Sequence, residues 1–383
     1  MSKLEQLINE LCADGVEYKS LGNCLVRTKG TKITAEQMQQ LNKENAPVKI
    51  FAGGKTVAYF DYADLPEKDI QTTPSIIVKS RGLVEFEYYD KPFSHKNEFW
   101  AYHSNDENIN IKYIYYCLKK EEHYFKNVAT SMGSLPQISI PVTENFKIPI
   151  PPLPLQEEIV RILDNFTELI RELTIELTTE LTARKQQYEY YRDSLLTFSD
   201  EVEWKPLGKI CINCDCQRKP VTKSSRQAGK YPYYGASGIV DYVSDYIFEG
   251  DYLLVSEDGA NLVARSTPIA FSISGKNWVN NHAHVLQFDT YEMRRFVEIY
   301  LNALDLSRYI SAAAQPKLTK DNLNKIPVPV PEFKQVKHIV EILDRFDKLC
   351  KDISEDLPAE IMARQQQYEY YRDKILTFKE KEV

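Results

Sequence analysis

At 383 residues the chain is too long for one hydrophobic core and long enough for two or three domains. Its 43% hydrophobic and 27% charged residues are those of a soluble globular protein, its apolar runs are too short for a bilayer, and seven scattered cysteines exclude a disulfide framework. The net charge of −7 excludes a uniformly basic chain, but the excess acid sits mostly in residues 151–199 (5 basic, 9 acidic) and 331–383 (10 basic, 12 acidic), so it neither bars nor supports nucleic-acid contact elsewhere.

Along the chain, MSKLEQLINELCADG places leucines at helical spacing, but Glu5 and Glu10 interrupt them; it is no signal peptide, and the expected compartment is the cytoplasm. VEYKSLG follows at 16–22, then a β-like run, PSIIVKS at 74–80, and a helical pattern, IKYIYYCLKKEEHYF at 111–125. The loop SLPQIS at 134–139 leads to KIPIPPLP at 147–154, whose prolines cannot continue a helix interior and so fix where the next helix begins. In that helix Leu163, Phe166, Ile170, Leu173, Leu177, Leu181, Tyr188, Tyr191 and Leu195 recur in alternating steps of three and four, broken only at Arg184, which predicts a coiled-coil seam.

VEWKPLG at 202–208 opens a second region. It contains the Gly-rich turn YYGASGIV at 233–240, β-like DYLLVSED at 251–258 and HVLQF at 284–288, and a helical pattern over 293–310. The loop AQPKLT at 314–319 and the hinge KIPVPVP at 325–331 then lead to a second seam: Leu343, Phe346, Cys350, Ile353, Leu357, Ile361, Tyr368, Tyr371 and Ile375. Pro358 lies inside it and is expected to kink or split the helix.

The two seams are 180 residues apart, and ARKQQYEYYRDSLLTF at 183–198 agrees with ARQQQYEYYRDKILTF at 363–378 at 13 of 16 positions. With the matched VEYKSLG/VEWKPLG and the matched proline hinges, the chain reads as a tandem duplication: a variable region of roughly 130 residues, a hinge and a long helix, twice. Two helices with one apolar seam each are expected to pair with each other. The antiparallel arrangement puts each globular region at an opposite end of a dumbbell with an approximate internal twofold axis.

The order VEWKPLG, YPYYGASGI at 231–239, NHAHVLQF at 281–288, AAAQPKLT at 312–319, KIPVPVP and QYEYYRD resembles the specificity subunit of type I restriction-modification enzymes, across essentially the whole chain. The first half departs from the pattern, with KIFAGGKTVAYF at 49–60 where the second has YPYYGASGIVDY, and with no AQPKLT. The resemblance implies an α+β fold: two mixed α/β target recognition domains, at 1–150 (with a short N-terminal helix) and 200–330, separated by a long antiparallel two-helix coiled coil from the conserved regions 151–199 and 331–383. It also implies a non-catalytic DNA-recognition subunit that reads an interrupted, bipartite double-stranded target and positions two methyltransferase subunits and, through the assembled complex, the restriction subunits. No cofactor is expected in this chain; S-adenosylmethionine, ATP and Mg would belong to the partners. A coiled-coil scaffold with protein-binding ends is the alternative. RELT, IELT and TELT follow one another over 171–182, and deleting one such unit is expected to shorten the bar by about 6 Å, close to two base-pair rises.

DNA contacts are expected from Lys, Arg, Gln, Ser and Tyr on loops. The first domain offers Arg27, Lys29, Lys32, Lys79, Arg81 and Lys96. The second offers Arg218, Lys219, Lys223, Arg226 and Lys230, in a loop with five basic and no acidic residues, then Tyr233, Tyr234 and Ser237, and the cluster of Gln315 and Lys317. Gln187, Tyr190 and Asp193, with their repeats Gln367, Tyr370 and Asp373, lie off the seam and have the chemistry of a partner surface. Cys211, Cys214 and Cys216 lack the second cysteine pair of a structural zinc site, so no metal is expected. AGGKT at 52–56 lacks the upstream glycine of a phosphate loop, and the Asn/Asp-Pro-Pro-aromatic motif of adenine methyltransferases is missing.

Overall fold

The computed structural model describes residues 3–132, 135–311 and 315–381. Ser134 and residues 312–314, which open the two loops singled out above, lie outside the described residues. The chain divides into two compact units, Met1–Glu176 with Leu357–Val383, and Leu177–Asp356.

In the first unit the frame is a two-stranded pair, Tyr18–Ser20 against Lys147–Pro149. It carries a four-stranded antiparallel sheet in the order Val26–Arg27, Trp100–His103, Ser75–Lys79, Glu85–Tyr89. Beside it is a three-stranded sheet: the hairpin Val48–Phe51/Val57–Phe60, with Phe93–His95 parallel to its first strand. The continuous apolar run of Ser75–Lys79 follows from covering both of its faces. Successive side chains alternate, so Ile76 and Val78 meet Tyr113, Cys117 and Phe125, while Ile77 meets Phe51, Phe93 and Ala101.

The second unit repeats this plan. Glu203–Pro206 pairs with Pro327–Val330, a sheet runs Ile212–Asn213, Ala283–Gln287, Tyr252–Ser256, Ala270–Ile273, and the hairpin Ala228–Gly235/Gly238–Val243 has Lys276–Val279 parallel to its first strand. Phe248–Glu249 adds a fourth strand to that second sheet, where the first unit has only the bridge Gln71 to Phe93. Thus KIFAGGKTVAYF and YPYYGASGIVDY, unlike in sequence, form the same hairpin.

The two long helices are Leu153–Leu195 and Phe333–Ile375, each of 43 residues. Within the first unit the start of one lies antiparallel to the end of the other, with Phe166 stacked on Tyr371 at 6.1 Å and Leu155, Ile159, Leu163 and Leu376 in the domain core. The second unit repeats the pairing with Tyr191 on Phe346 at 5.2 Å. The acid at one equivalent position anchors each domain to its helix: Asp164 accepts from Lys112 (2.7 Å) and Tyr116 (2.5 Å), and Asp344 from Tyr291 (2.6 Å) and Arg295 (2.7 Å).

Of the two outcomes expected at Pro358, splitting does not occur: the helix runs unbroken over Phe333–Ile375, with Pro358 and Ser354, whose carbonyl it cannot satisfy, both exposed. Two further expectations are corrected. The helical pattern at 111–125 breaks at Glu121 (φ −92°, ψ 10°) into Ile111–Lys120 and Glu122–Val128, with Glu122 accepting from the backbone of Phe86. The helix expected over 293–310 is Tyr291–Ala303, ended by extended Leu304, whose buried neighbour Leu306 turns the chain back into the core.

Candidate nucleic-acid interface

In the second unit four loops are tied into one surface by hydrogen bonds. Ser256 Oγ donates to the carbonyl of Ala236 in the hairpin turn, Glu257 N to His282 O, Gly259 N to Pro316 O, and Asp258 bridges Lys317. Beneath this surface runs a buried charge network. Glu257 accepts from Arg218 (2.6 Å) and Lys317 (3.0 Å), and His284 sits between Asp215 (2.7 Å) and the carbonyl of Leu318 (2.8 Å). Burial alone would raise the pKa of Asp215, but His284, the Val285 amide and Arg218 outweigh it and hold the carboxyl below its usual range. Glu257 is likewise depressed, its burial outweighed by Arg218 and Lys317.

The first unit builds the same surface from other residues. Lys96 N donates to Phe51 O, Ser80 Oγ to Glu98 O, Ile138 N to Ser80 O and Gly82 N to Pro136 O, and Arg81 bridges Gln137. Ile138 N to Ser80 O matches Leu318 N to Glu257 O, and Gly82 N to Pro136 O matches Gly259 N to Pro316 O. Both glycines have positive φ (83° and 109°), which the turn after the bridge requires. LPQIS at 135–139 therefore occupies the place of QPKLT at 315–319.

The structure separates the sequence candidates. Lys79 is enclosed by Glu85 and Glu87 with its side chain only 12% exposed, Arg218 is held in the Glu257 and Asp215 network, and Arg226 pairs with Asp241 and stacks on Tyr233. Tyr233 is 1% exposed with its hydroxyl on the Val221 backbone, and Tyr234 packs on Phe271. These five have partners within the fold, because long cationic stems and aromatic rings beside β-strands find acids and apolar groups there. Arg27 pairs with Glu144 and Lys96 with Glu98 near the surface. Lys29, Lys32, Arg81, Lys219, Lys223, Lys230, Ser237 and Gln315 are exposed, and among the described residues no ion pair engages the six cations.

Lys29 and Lys32, with Lys68, line a cavity of about 720 Å³ in the first unit. Lys68 escaped the sequence reading, as did Gln137 and Lys55. The latter stands exposed on the Gly53–Gly54 hairpin turn, where the glycine pair itself was the available signal. Two of the three cysteines are engaged: burial pushes the Cys211 thiol up to about 12, Cys211 and Cys214 donate to the carbonyls of Leu207 and Ile212, and Cys216 is exposed.

On the helices the repeated triplets have matching geometry. Tyr190 (71% exposed) lies edge-on to Tyr191 at 5.5 Å, with Gln187 accepting from Arg184 and Asp193 from Arg192. Tyr370 (64% exposed) lies edge-on to Tyr371 at 5.4 Å, with Gln367 accepting from Arg364 and Asp373 from Arg372.

One mixed α/β domain occurs twice with different loop surfaces, each docked on its own segments of the two long helices, as a recognition protein with two reading units requires. The family model "Type I restriction modification DNA specificity domain" matches residues 16–183 and 199–363, and the chain belongs to that family, the specificity subunits of type I restriction-modification systems. The Escherichia coli EcoR124I/EcoR124II specificity subunit is 30% identical over all of this chain and 98% of its own length. A putative type I specificity subunit of Haemophilus influenzae is 39% identical over 47% of each chain. A chain from a structural study of complex assembly and conformational transition of the type I system superposes with a TM-score of 0.67 at 14% identity, covering 94% of this chain and 97% of that one, which shows the shared fold.

Proposed function

We propose that this specificity subunit reads a bipartite, interrupted double-stranded DNA target, one half with the loop surface of each unit, and that the exposed tyrosine triplets hold two copies of one methyltransferase subunit, with the restriction subunits joining through the assembled complex. The observation that carries the reading is the contrast between frame and surface. The same hydrogen-bonded loop frame occurs twice, furnished with Arg81, Gln137 and Lys55 in one unit and with Lys317, Gln315 and Ser237 in the other. Lys29, Lys32 and Lys68 supply phosphate contacts that position without reading sequence. The chain is non-catalytic in this reading, its methyl donor, ATP and Mg belonging to the partners. The test is reconstitution with the cognate methyltransferase and sequencing of methylated adenines. A two-part motif is expected, and deletion of residues 175–178 should change only the unread spacer between its halves. Methylation without sequence dependence would return the protein to the scaffold class, and methylation by this chain alone would make it an enzyme.

A further inference from the structure

The isolated bridge Arg81–Gln137 of the first unit and its counterpart Asp258–Lys317 of the second have a backbone held from several sides. The residue after it, Ile138 or Leu318, is buried and donates to Ser80 O or Glu257 O. The next, Ser139 or Thr319, is the N-cap of a short helix, and the glycine on the opposite segment, Gly82 or Gly259, closes back on Pro136 or Pro316. Side chains of directly opposed bridge residues stand about 4.5–5.5 Å apart at Cβ and so form one composite group. The frame is thus common to both units while the bridging pair differs: Arg81 with Gln137 in the first, Asp258 with Lys317 in the second.

We infer that this bridge is the specificity-determining position of each unit, with Arg81 and Gln137 reading base edges in one half-site and Lys317 in the other. The inference rests on the DNA-reading function proposed above and assigns it to particular side chains. A rigid support is what base readout demands, since an edge contact fails with small misplacement. Arg81 is exposed and has no ion pair among the described residues, so its guanidinium fork is available to the O6 and N7 acceptors of guanine. The Gln137 amide beside it has the donor and acceptor that match adenine N6 and N7.

In the second unit Asp258 is engaged by His282 at 2.9 Å, which leaves Lys317 as the reading group. Lys317 is 49% exposed and 3.0 Å from Glu257, and Glu257 keeps Arg218 at 2.6 Å when Lys317 swings away. Release of Lys317 to a guanine therefore strands no buried carboxylate.

The test uses the full chain assembled with its methyltransferase and sequencing of methylated bases across a genome. R81A, R81K and Q137A are expected to relax a single base pair of one half-site, raising methylation of the mismatched sequence about tenfold relative to the cognate one, with the other half unchanged. K317A and K317Q should relax a single position in the opposite half. Thermal unfolding of each variant accompanies the sequencing, because these exposed side chains leave the cores intact. Slower methylation with an unchanged motif, or relaxation in the same half by the Arg81 and Lys317 variants, overturns the inference and leaves the function standing. Absence of a two-part motif for the unsubstituted chain overturns the function itself.

Discussion

The two units share a topology, apart from the strand Phe248–Glu249 added in the second, and differ in what lies under and on their loops. In the second unit the strand-end position held by Asp215 opens a buried network through His284, Arg218 and Glu257; the equivalent position in the first unit, by register of Val26 with His103 and Ile212 with Gln287, is exposed Lys29. The first unit stabilises the same region with a neutral pair, Thr28 and His95 at 2.8 Å. The comparison teaches that the fold requires the hydrogen-bonded frame but not any one electrostatic solution beneath it, and this freedom lets the surface chemistry diverge.

The sharpest way to break the comparison is to remove the network on one side. D215N breaks the buried pair with His284 (2.7 Å) and should lower the stability of the second unit by about 3–5 kcal/mol, whereas K29A in the first should change stability by less than about 0.5 kcal/mol. Domain-resolved hydrogen exchange or calorimetry reads both. Because the folded-state pKa of Asp215 is depressed, its stabilisation is present above the unfolded value near 3.8 and is lost as pH falls through the folded value. The gap between D215N and the unsubstituted chain should therefore close on acidification below pH 3.8.

A smaller effect tests where the halves are alike. Y190A and Y370A should each weaken one of two methyltransferase sites by about 2 kcal/mol, roughly thirtyfold, giving complexes with a single methyltransferase in native mass spectrometry at limiting concentration. Equal losses of both sites by either variant would contradict two independent docking surfaces. The smallest expected effect belongs to K29A, K32A and K68A, each lowering the slope of log affinity against log salt by about 0.9 while the methylated motif stays the same.

The repeat and the seams were legible because they are written in periodicity and proline punctuation. The strands Ser75–Lys79 and Tyr252–Ser256 were legible too, since covering two faces leaves an unbroken apolar run. The identity of the two hairpins was not, because a hairpin needs a turn and two covered faces rather than particular residues, and AGGKT and GASG both meet that need. The candidate site was legible as a composition of loops but not residue by residue. Whether a lysine stands exposed, as Lys55 does, or is bound between two glutamates, as Lys79 is, depends on which strand lies next to it.

The central claim is that each unit reads its own half of the target on a shared frame. The most direct measurement replaces residues 16–150 with a second copy of 202–330 and maps methylated adenines in DNA modified by that chain and its methyltransferase. The account predicts a two-part motif whose halves specify the same bases, those read by the second unit. A motif that still contains the original first half, or whose halves still differ, would contradict it.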